Sequence, residues 1–187
     1  MAETEPENWE SRLPPPETRE QALYAKLTAL GIAWTTHVHA PVFTVDEARA
    51  LRGALPGGHT KNLFLKDRDG GLWLLVARED LAIDLNTLSK QLSAPRFSFG
   101  PPELMVQTLG VAPGAVTPFT LMNAPPHALR VVFDAGMMEF ETLNFHPLRN
   151  DRTTAIKAQD LLAFAQGCGH APLLTTLPEK EIGRAHV

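Results

Sequence analysis

Hydrophobic positions in this chain fall into short runs with two different periods. Between Glu17 and Leu30, the residues Ala22, Leu23, Leu27 and Leu30 recur at helical spacing, and Gly31 supplies a stop signal. Ala33 to His39 is β-rich and closes at Pro41. Thr44, with Glu47 three residues on, then makes a capping-box signature for a helix to Leu55. Lys61 to Asp67 and Leu72 to Arg78 read as strands joined by Arg68-Asp69-Gly70-Gly71, a hairpin turn signal. Asp84 to Ser93 predicts a helix and Arg96 to Phe99 a short strand. Pro101-Pro102 puts proline in the favoured first turn of a helix from Glu103 to Leu109. Gly110 to Pro118 reads as a loop. Leu129 to Asp134, Phe140 to Phe145 and Thr153 to Ile156 predict three more strands before a last helix from Lys157 to Gln166.

Hairpins mixed among helices, without regular βαβ repeats, predict an α+β fold with a mixed, largely antiparallel sheet and packed helices. Residues 1–16 combine acids with Pro14-Pro15-Pro16 and have no apolar period, so they are expected to form a disordered tail ahead of one domain over residues 17–170. Residues 171–187 are expected to be a C-terminal tail whose last seven residues are frayed and non-native.

Composition and charge narrow the class. With 187 residues, 44% of them apolar and 20% charged, the chain is long enough for one buried core. Six acids against Arg12 and Arg19 in residues 1–20 account for the whole net charge of −4, leaving 15 basic and 15 acidic side chains beyond. That balance argues against a protein coating long stretches of DNA, so a nucleic-acid partner would be gripped locally. A single cysteine excludes an internal disulfide framework. The first twenty residues carry neither a basic n-region nor an apolar stretch, so a cytoplasmic protein with no membrane partner is expected.

Three segments carry candidate chemistry. Pro56-Gly57-Gly58-His59-Thr60-Lys61-Asn62 delivers a lysine and an amide to the start of a strand, either as an anion-binding loop or as a plain turn with a solvated lysine. It runs into a strand, not a helix, which disfavours a nucleotide-triphosphate loop. Gly110-Val111-Ala112-Pro113-Gly114-Ala115-Val116-Thr117-Pro118 is a stiff track that either points N–H groups at an oxyanion or simply turns the chain. Asn144-Phe145-His146-Pro147-Leu148 places polar groups at a strand end. None of Ser11, Ser89, Ser93 and Ser98 sits in Gly-x-Ser-x-Gly, and Cys168 lies in a Gly-Cys-Gly helix end, so a serine or cysteine nucleophile is disfavoured. His37 and His39 share a strand face without a third ligand at recognisable spacing, and the zinc-deaminase signature is absent, so no metal or other cofactor is expected.

Together these segments resemble the YbaK and prolyl-tRNA-synthetase-associated family of aminoacyl-tRNA editing domains, in its free-standing ProXp-ala (PrdX) type, over residues 20–170. Gly57 to Leu65 resembles the family's lysine-bearing strand entry, and Phe99-Gly100-Pro101-Pro102-Glu103-Leu104-Met105 its segment before the next helix. Gly114-Ala115-Val116-Thr117-Pro118 fits its Gly-x-x-x-Pro loop, and Asn144-Phe145-His146-Pro147 its pocket-histidine segment. The resemblance implies a sheet curled into a partly open barrel with surrounding helices. It also implies a pocket for the aminoacylated acceptor end of tRNA(Pro), hydrolysis of Ala-tRNA(Pro), and association with prolyl-tRNA synthetase. A second sieve is physically required, because a pocket shaped for proline rejects the smaller alanine by only about 1–3 kcal/mol per missing methylene.

The implied roles put Lys61 on the terminal phosphate and ribose, Asn62 on the ester, N–H groups around Gly114 on the carbonyl oxygen, and His146 on pocket shape or a hydrogen bond to substrate. Thr60, Val45, Phe64, Pro118 and Asn144 are the expected substrate-binding residues, with Thr60, Val45 and Phe64 equally readable as core. An activated aminoacyl ester with an adjacent ribose hydroxyl can be hydrolysed without an enzyme nucleophile. Two alternatives stay open: a deacylase preferring cysteine or serine, and a noncatalytic module that binds tRNA or the synthetase.

Overall fold

The computed structural model describes residues 7–41, 46, 47, 50, 51 and 55–181. Among them eight strands and four fully described α-helices form a mixed α+β fold, as the pattern predicts. The strands are β1 (Thr35–Val38), β2 (Gly58–Asp67), β3 (Leu72–Arg78), β4 (Phe97–Phe99), β5 (Arg130–Asp134), β6 (Thr142–Phe145), β7 (Arg152–Lys157) and β8 (Leu173–Thr175). The helices are α1 (Pro16–Ala29), α2 (Leu85–Gln91), α3 (Pro102–Leu109) and α4 (Ala158–Gly167). The path β1-β7-β6-β2-β3-β5-β8 is open, with β4 paired to β2 off the path. β2–β6, β3–β5 and β5–β8 are parallel, and β1–β7, β2–β3, β2–β4 and β6–β7 antiparallel.

The hairpin nucleus forms where its turn chemistry places it. Asp67 accepts the N–H groups of Asp69 and Gly71 at 2.9 and 2.8 Å on one carboxylate oxygen and the Trp73 indole at 3.0 Å on the other, closing the turn by side chain as well as backbone. β3 is a nearly continuous apolar run because both of its faces are covered. Leu74 and Val76 join Phe64, Val131 and Phe133 against α1 and α4, while Trp73, Leu75 and Ala77 join Leu65 and Val132 against Leu88 of α2 and Phe97. Two core layers therefore sandwich the central strands.

Helix boundaries follow local signals. Asp84 caps α2 by accepting the Thr87 N–H at 3.0 Å, and Pro16 and Pro102 start α1 and α3 where no intrahelical donor is needed. Of the helix expected from Thr44 to Leu55, residues 46, 47, 50 and 51 are helical, whereas Thr44 and Val45 lie outside the described residues. The strand expected from Phe140 begins at Thr142, after a 3-10 turn over Ala135–Glu139 capped by Asp134. The sequence pattern predicts no strand beyond residue 170, yet β8 pairs with β5, Leu177 is buried, and an isolated antiparallel bridge joins Glu179 to Ile83 just ahead of α2. Three residues with both leucines half exposed carry too little periodicity to announce a strand.

A candidate aminoacyl-binding cleft

A cleft of about 370 Å³ opens along β2 and is lined by residues that are far apart in the chain: Thr60, Lys61 and Asn62 from the strand, Gly114 from the loop after α3, and His146 after β6. Phe64, Phe99, Gly100, Met105, Pro113 and Val116 supply its apolar walls. Larger hollows of about 580 and 650 Å³ lie at the β2–β3 turn and beside Pro14-Pro15-Pro16. Neither gathers the three candidate segments.

Strand pairing explains why the cleft is there. On its second edge β2 pairs with β6 only through Gly58 and His59, and with β4 only from Leu65 to Asp67. Between these two neighbours no strand among the described residues pairs with the edge. Side chains alternate across a strand, so Phe64 joins one core layer with Thr60 and Asn62 on its face, whereas Leu63 and Leu65 belong to the other layer, on the Lys61 face. A bare edge lets residues from both faces reach one cleft.

Lys61 is half-buried, and its ammonium donates to the main-chain oxygen of Leu81. Burial lowers its pKa from the ordinary lysine value. Asp80 and Glu79 oppose that shift, and Lys180 adds to it. The carboxylates thus help to keep a cation at the rim of the cleft.

His146 follows β6 and lies next to His39, with ring centroids 6.3 Å apart. Its Nδ1 faces the main-chain oxygen of Arg152 at 2.9 Å, which fixes the hydrogen on Nδ1 and leaves Nε2 as an acceptor in the neutral ring. Burial dominates the lowering of its pKa. The Arg152 bond opposes it, His39 adds to it, and Asp151 opposes it. His39 is itself committed to Ala40 and Thr153, and among the described residues no cluster of three His, Cys, Asp or Glu side chains could hold a metal ion.

Gly114 has φ +93°, which places it at the third position of a Pro-Gly turn closed by the Ala115 N–H to Ala112 oxygen bond at 3.2 Å. A side chain there would be strained in this conformation even though open space surrounds it. Pro118 is buried at the start of a 3-10 turn over Pro118–Met122, outside the cleft lining, and anchors the loop beside the core residue Phe119.

Asn144 also lies outside the lining. Its amide donates to the oxygens of Pro56 at 2.9 Å and Gly58 at 3.2 Å, while its main-chain oxygen accepts the Thr60 hydroxyl at 2.9 Å. It clamps the entry to β2. Gly57 and Gly58 are needed for that close approach: a Cβ at Gly57 would sit 2.9 Å from the Thr142 oxygen, and one at Gly58 2.7 Å from the Phe140 ring. Val45 lies outside the described residues.

Sequence reasoning singled out the segment Phe99 to Met105 but named none of its residues as site residues. Phe99, Gly100 and Met105 are brought to the cleft by β4 pairing and the start of α3. It also missed a buried ionic cluster behind His146. Arg152 donates to Glu20 of α1 at 2.8 Å, Arg149 clamps Asp151 at 2.6 and 2.8 Å, and Arg19 donates to the Leu148 oxygen at 3.0 Å. That last bond holds Leu148 at φ +63°. Their partners come from α1 and the β6–β7 loop, far apart in sequence, so no short window announces the cluster. Among the described residues no serine or cysteine lines the cleft, and burial raises the pKa of the Cys168 thiol at the end of α4.

Comparison with known proteins places this architecture. The model of the aminoacyl-tRNA editing domain matches residues 39–164, and the chain belongs to that family. Among its relatives, the prolyl-tRNA synthetase associated domain-containing protein 1 of Bos taurus is 35% identical over 158 residues, covering 82% of this chain and 92% of that one. The prolyl-tRNA editing protein ProX of Acetoanaerobium sticklandii is 32% identical over 152 residues, covering 81% and 93%. A crystal structure provisionally described as a trans-editing enzyme for prolyl tRNA synthetase shares the fold, with a TM-score of 0.67 and 19% identity over 89% of this chain and 99% of that one. No helix among the described residues is long and apolar enough to cross a membrane.

Proposed function

We propose that this protein is a trans-editing deacylase that hydrolyses Ala-tRNA(Pro) to alanine and free tRNA(Pro), gripping the acceptor end of the tRNA. The observation that carries this reading is the convergence of Lys61, Asn62, Gly114 and His146 on one cleft that no serine or cysteine among the described residues lines. Such a site suits direct attack by water on an ester that is already activated. The water oxygen bonds to the aminoacyl carbonyl carbon, the bond to the ribose oxygen breaks, and that oxygen leaves with a proton.

Each residue has a role that its geometry supports. Lys61 exchanges the Leu81 carbonyl for the terminal phosphate and ribose, as a compact cation on a flexible stem can. The Gly114 N–H, which has no partner among the described residues, meets the developing charge on the carbonyl oxygen. Asn62 orients the ester, and His146, neutral and with Nε2 unprotonated, accepts a hydrogen bond from substrate. Phe64, Met105 and Val116 bound the space open to the amino-acid side chain. ProX and the synthetase-associated relatives support prolyl-tRNA as the tRNA class and prolyl-tRNA synthetase as a partner.

The test is release of labelled alanine from Ala-tRNA(Pro) beside Pro-tRNA(Pro), Cys-tRNA(Pro), Ser-tRNA(Pro) and Ala-tRNA(Ala). Selective loss of alanine from tRNA(Pro) is the expected result. Faster release of cysteine or serine would reassign the substrate, and binding without hydrolysis of any ester would leave a noncatalytic module.

A further inference from the structure

Asn62 concentrates unsatisfied polar groups to a degree unmatched on β2. The Glu79 N–H to His59 oxygen and Asp67 N–H to Gly71 oxygen bonds set the phase of the β2–β3 ladder, so odd-numbered residues from 59 to 67 turn their main-chain groups toward β3. Even-numbered residues turn theirs to the other edge. There Gly58 is paired with β6, and the Phe64 oxygen accepts the Gly100 N–H at 2.8 Å. The N–H and C=O of Asn62 lie between, with no partner among the described residues. Its side-chain Oδ1 is buried and unpartnered as well. Buried polar groups in folded proteins are nearly always paired, so the buried Oδ1 calls for a partner, and the two free main-chain groups of the same residue face the same cleft.

The bare stretch lies between His59 and Leu65, and at its middle Asn62 offers a donor and an acceptor at the spacing of a single strand residue. An aminoacyl ester is itself one amino-acid residue, with an ammonium donor and a carbonyl acceptor about its α-carbon. We infer that the aminoacyl group docks on β2 as a single missing rung of the sheet. Its carbonyl oxygen accepts the Asn62 N–H, and its α-ammonium donates to the Asn62 main-chain oxygen and Oδ1. Strand addition to a bare edge is a general mode of peptide recognition; here the added strand is one residue. The inference rests on the deacylase reading for its ligand and extends it. The site reads the free α-amine, and Asn62 supplies a second donor to the same oxygen that Gly114 serves.

The experiment uses two non-hydrolysable probes, 3′-alanylamino-3′-deoxyadenosine and its des-amino counterpart 3′-propionylamino-3′-deoxyadenosine, with the ¹⁵N-labelled full chain. The alanyl probe is expected to shift the Asn62 amide resonance and to bind at least about tenfold more tightly, the scale of a lost charge-assisted hydrogen bond. Asn62→Asp, which keeps the acceptors, should retain the preference, and Asn62→Leu should weaken it. Equal affinity for the two probes, no shift at Asn62 on saturation, or no binding of the alanyl probe overturns the rung. Loss of the preference in Asn62→Asp would assign that side chain a donor role and remove Oδ1 from the rung. If the Asn62 shift and the amine preference hold while Ala-tRNA(Pro) is not hydrolysed, the deacylase reading alone falls.

Discussion

His146 donates its Nδ1 hydrogen to the main-chain oxygen of Arg152 at 2.9 Å, so the cleft meets the ring with its tautomer already set. Burial favours the neutral imidazole, and the direction of the pKa shift has two consequences. Turnover that needs the neutral ring should persist as pH falls through 6.5, the ordinary value, and fail only below it. The unfolded chain takes up this proton first, so the contribution of His146 to stability is full above pH 6.5 and declines as pH falls further. A ¹³C-edited NMR titration of the imidazole beside single-turnover rates checks both, and a midpoint at or above 6.5 would contradict them.

Lys61→Ala should lower kcat/KM for Ala-tRNA(Pro) by at least about tenfold, the scale of a charge-assisted hydrogen bond, and leave the fold intact because the side chain is only half-buried. Circular dichroism beside the deacylation assay separates the two effects. Near-normal turnover would remove the anchoring role. Asp80→Asn should lower the lysine pKa further, since it deletes the largest influence that raises it, and an alkaline ¹⁵N titration reads that shift.

Asn144→Ala removes two hydrogen bonds that hold the entry to β2 and leaves the Gly58 oxygen without its side-chain donor, at an expected cost of about 1–3 kcal/mol in denaturant unfolding. Gly57→Ala should cost a similar ~1–3 kcal/mol, because φ is +95° and the new Cβ would meet the Thr142 oxygen at 2.9 Å. Wild-type stability in both variants would show that the entry relaxes without them.

Glu20→Ala strips the Arg152 guanidinium of its carboxylate partner and takes one carboxylate from beside Arg149, in a cluster whose Glu20 and Arg149 side chains are 8% and 9% exposed. Removing one member of a buried ion pair costs on the order of 3 kcal/mol, so the melting temperature should fall by several degrees. The same loop carries His146, and the variant should lose kcat in excess of the unfolded fraction. Calorimetry and deacylation at a temperature where the variant is folded distinguish stability from positioning.

Local physics alone was enough to read much of this molecule. The hairpin from Lys61 to Arg78 declares itself through two apolar runs and a glycine pair, and α2, α3 and α4 through caps, prolines and period. The three candidate segments were visible as well, because lysine, glycine-proline and histidine chemistry is written in short windows, and six of the nine site residues expected from these segments and from the family resemblance line the cleft. What those windows lacked was anything set by partners distant in sequence. The parallel β2–β6 contact is what sets Asn144 as a clamp on the entry to β2, and β8 exists only because β5 offers an edge. The Glu20 cluster is buried only because α1 packs over the β6–β7 loop. The bare stretch at Asn62 arises because β6 pairing ends at His59 and β4 pairing begins at Leu65. No property of residues 60–64 themselves encodes it, since an edge is defined by which strands stand beside it.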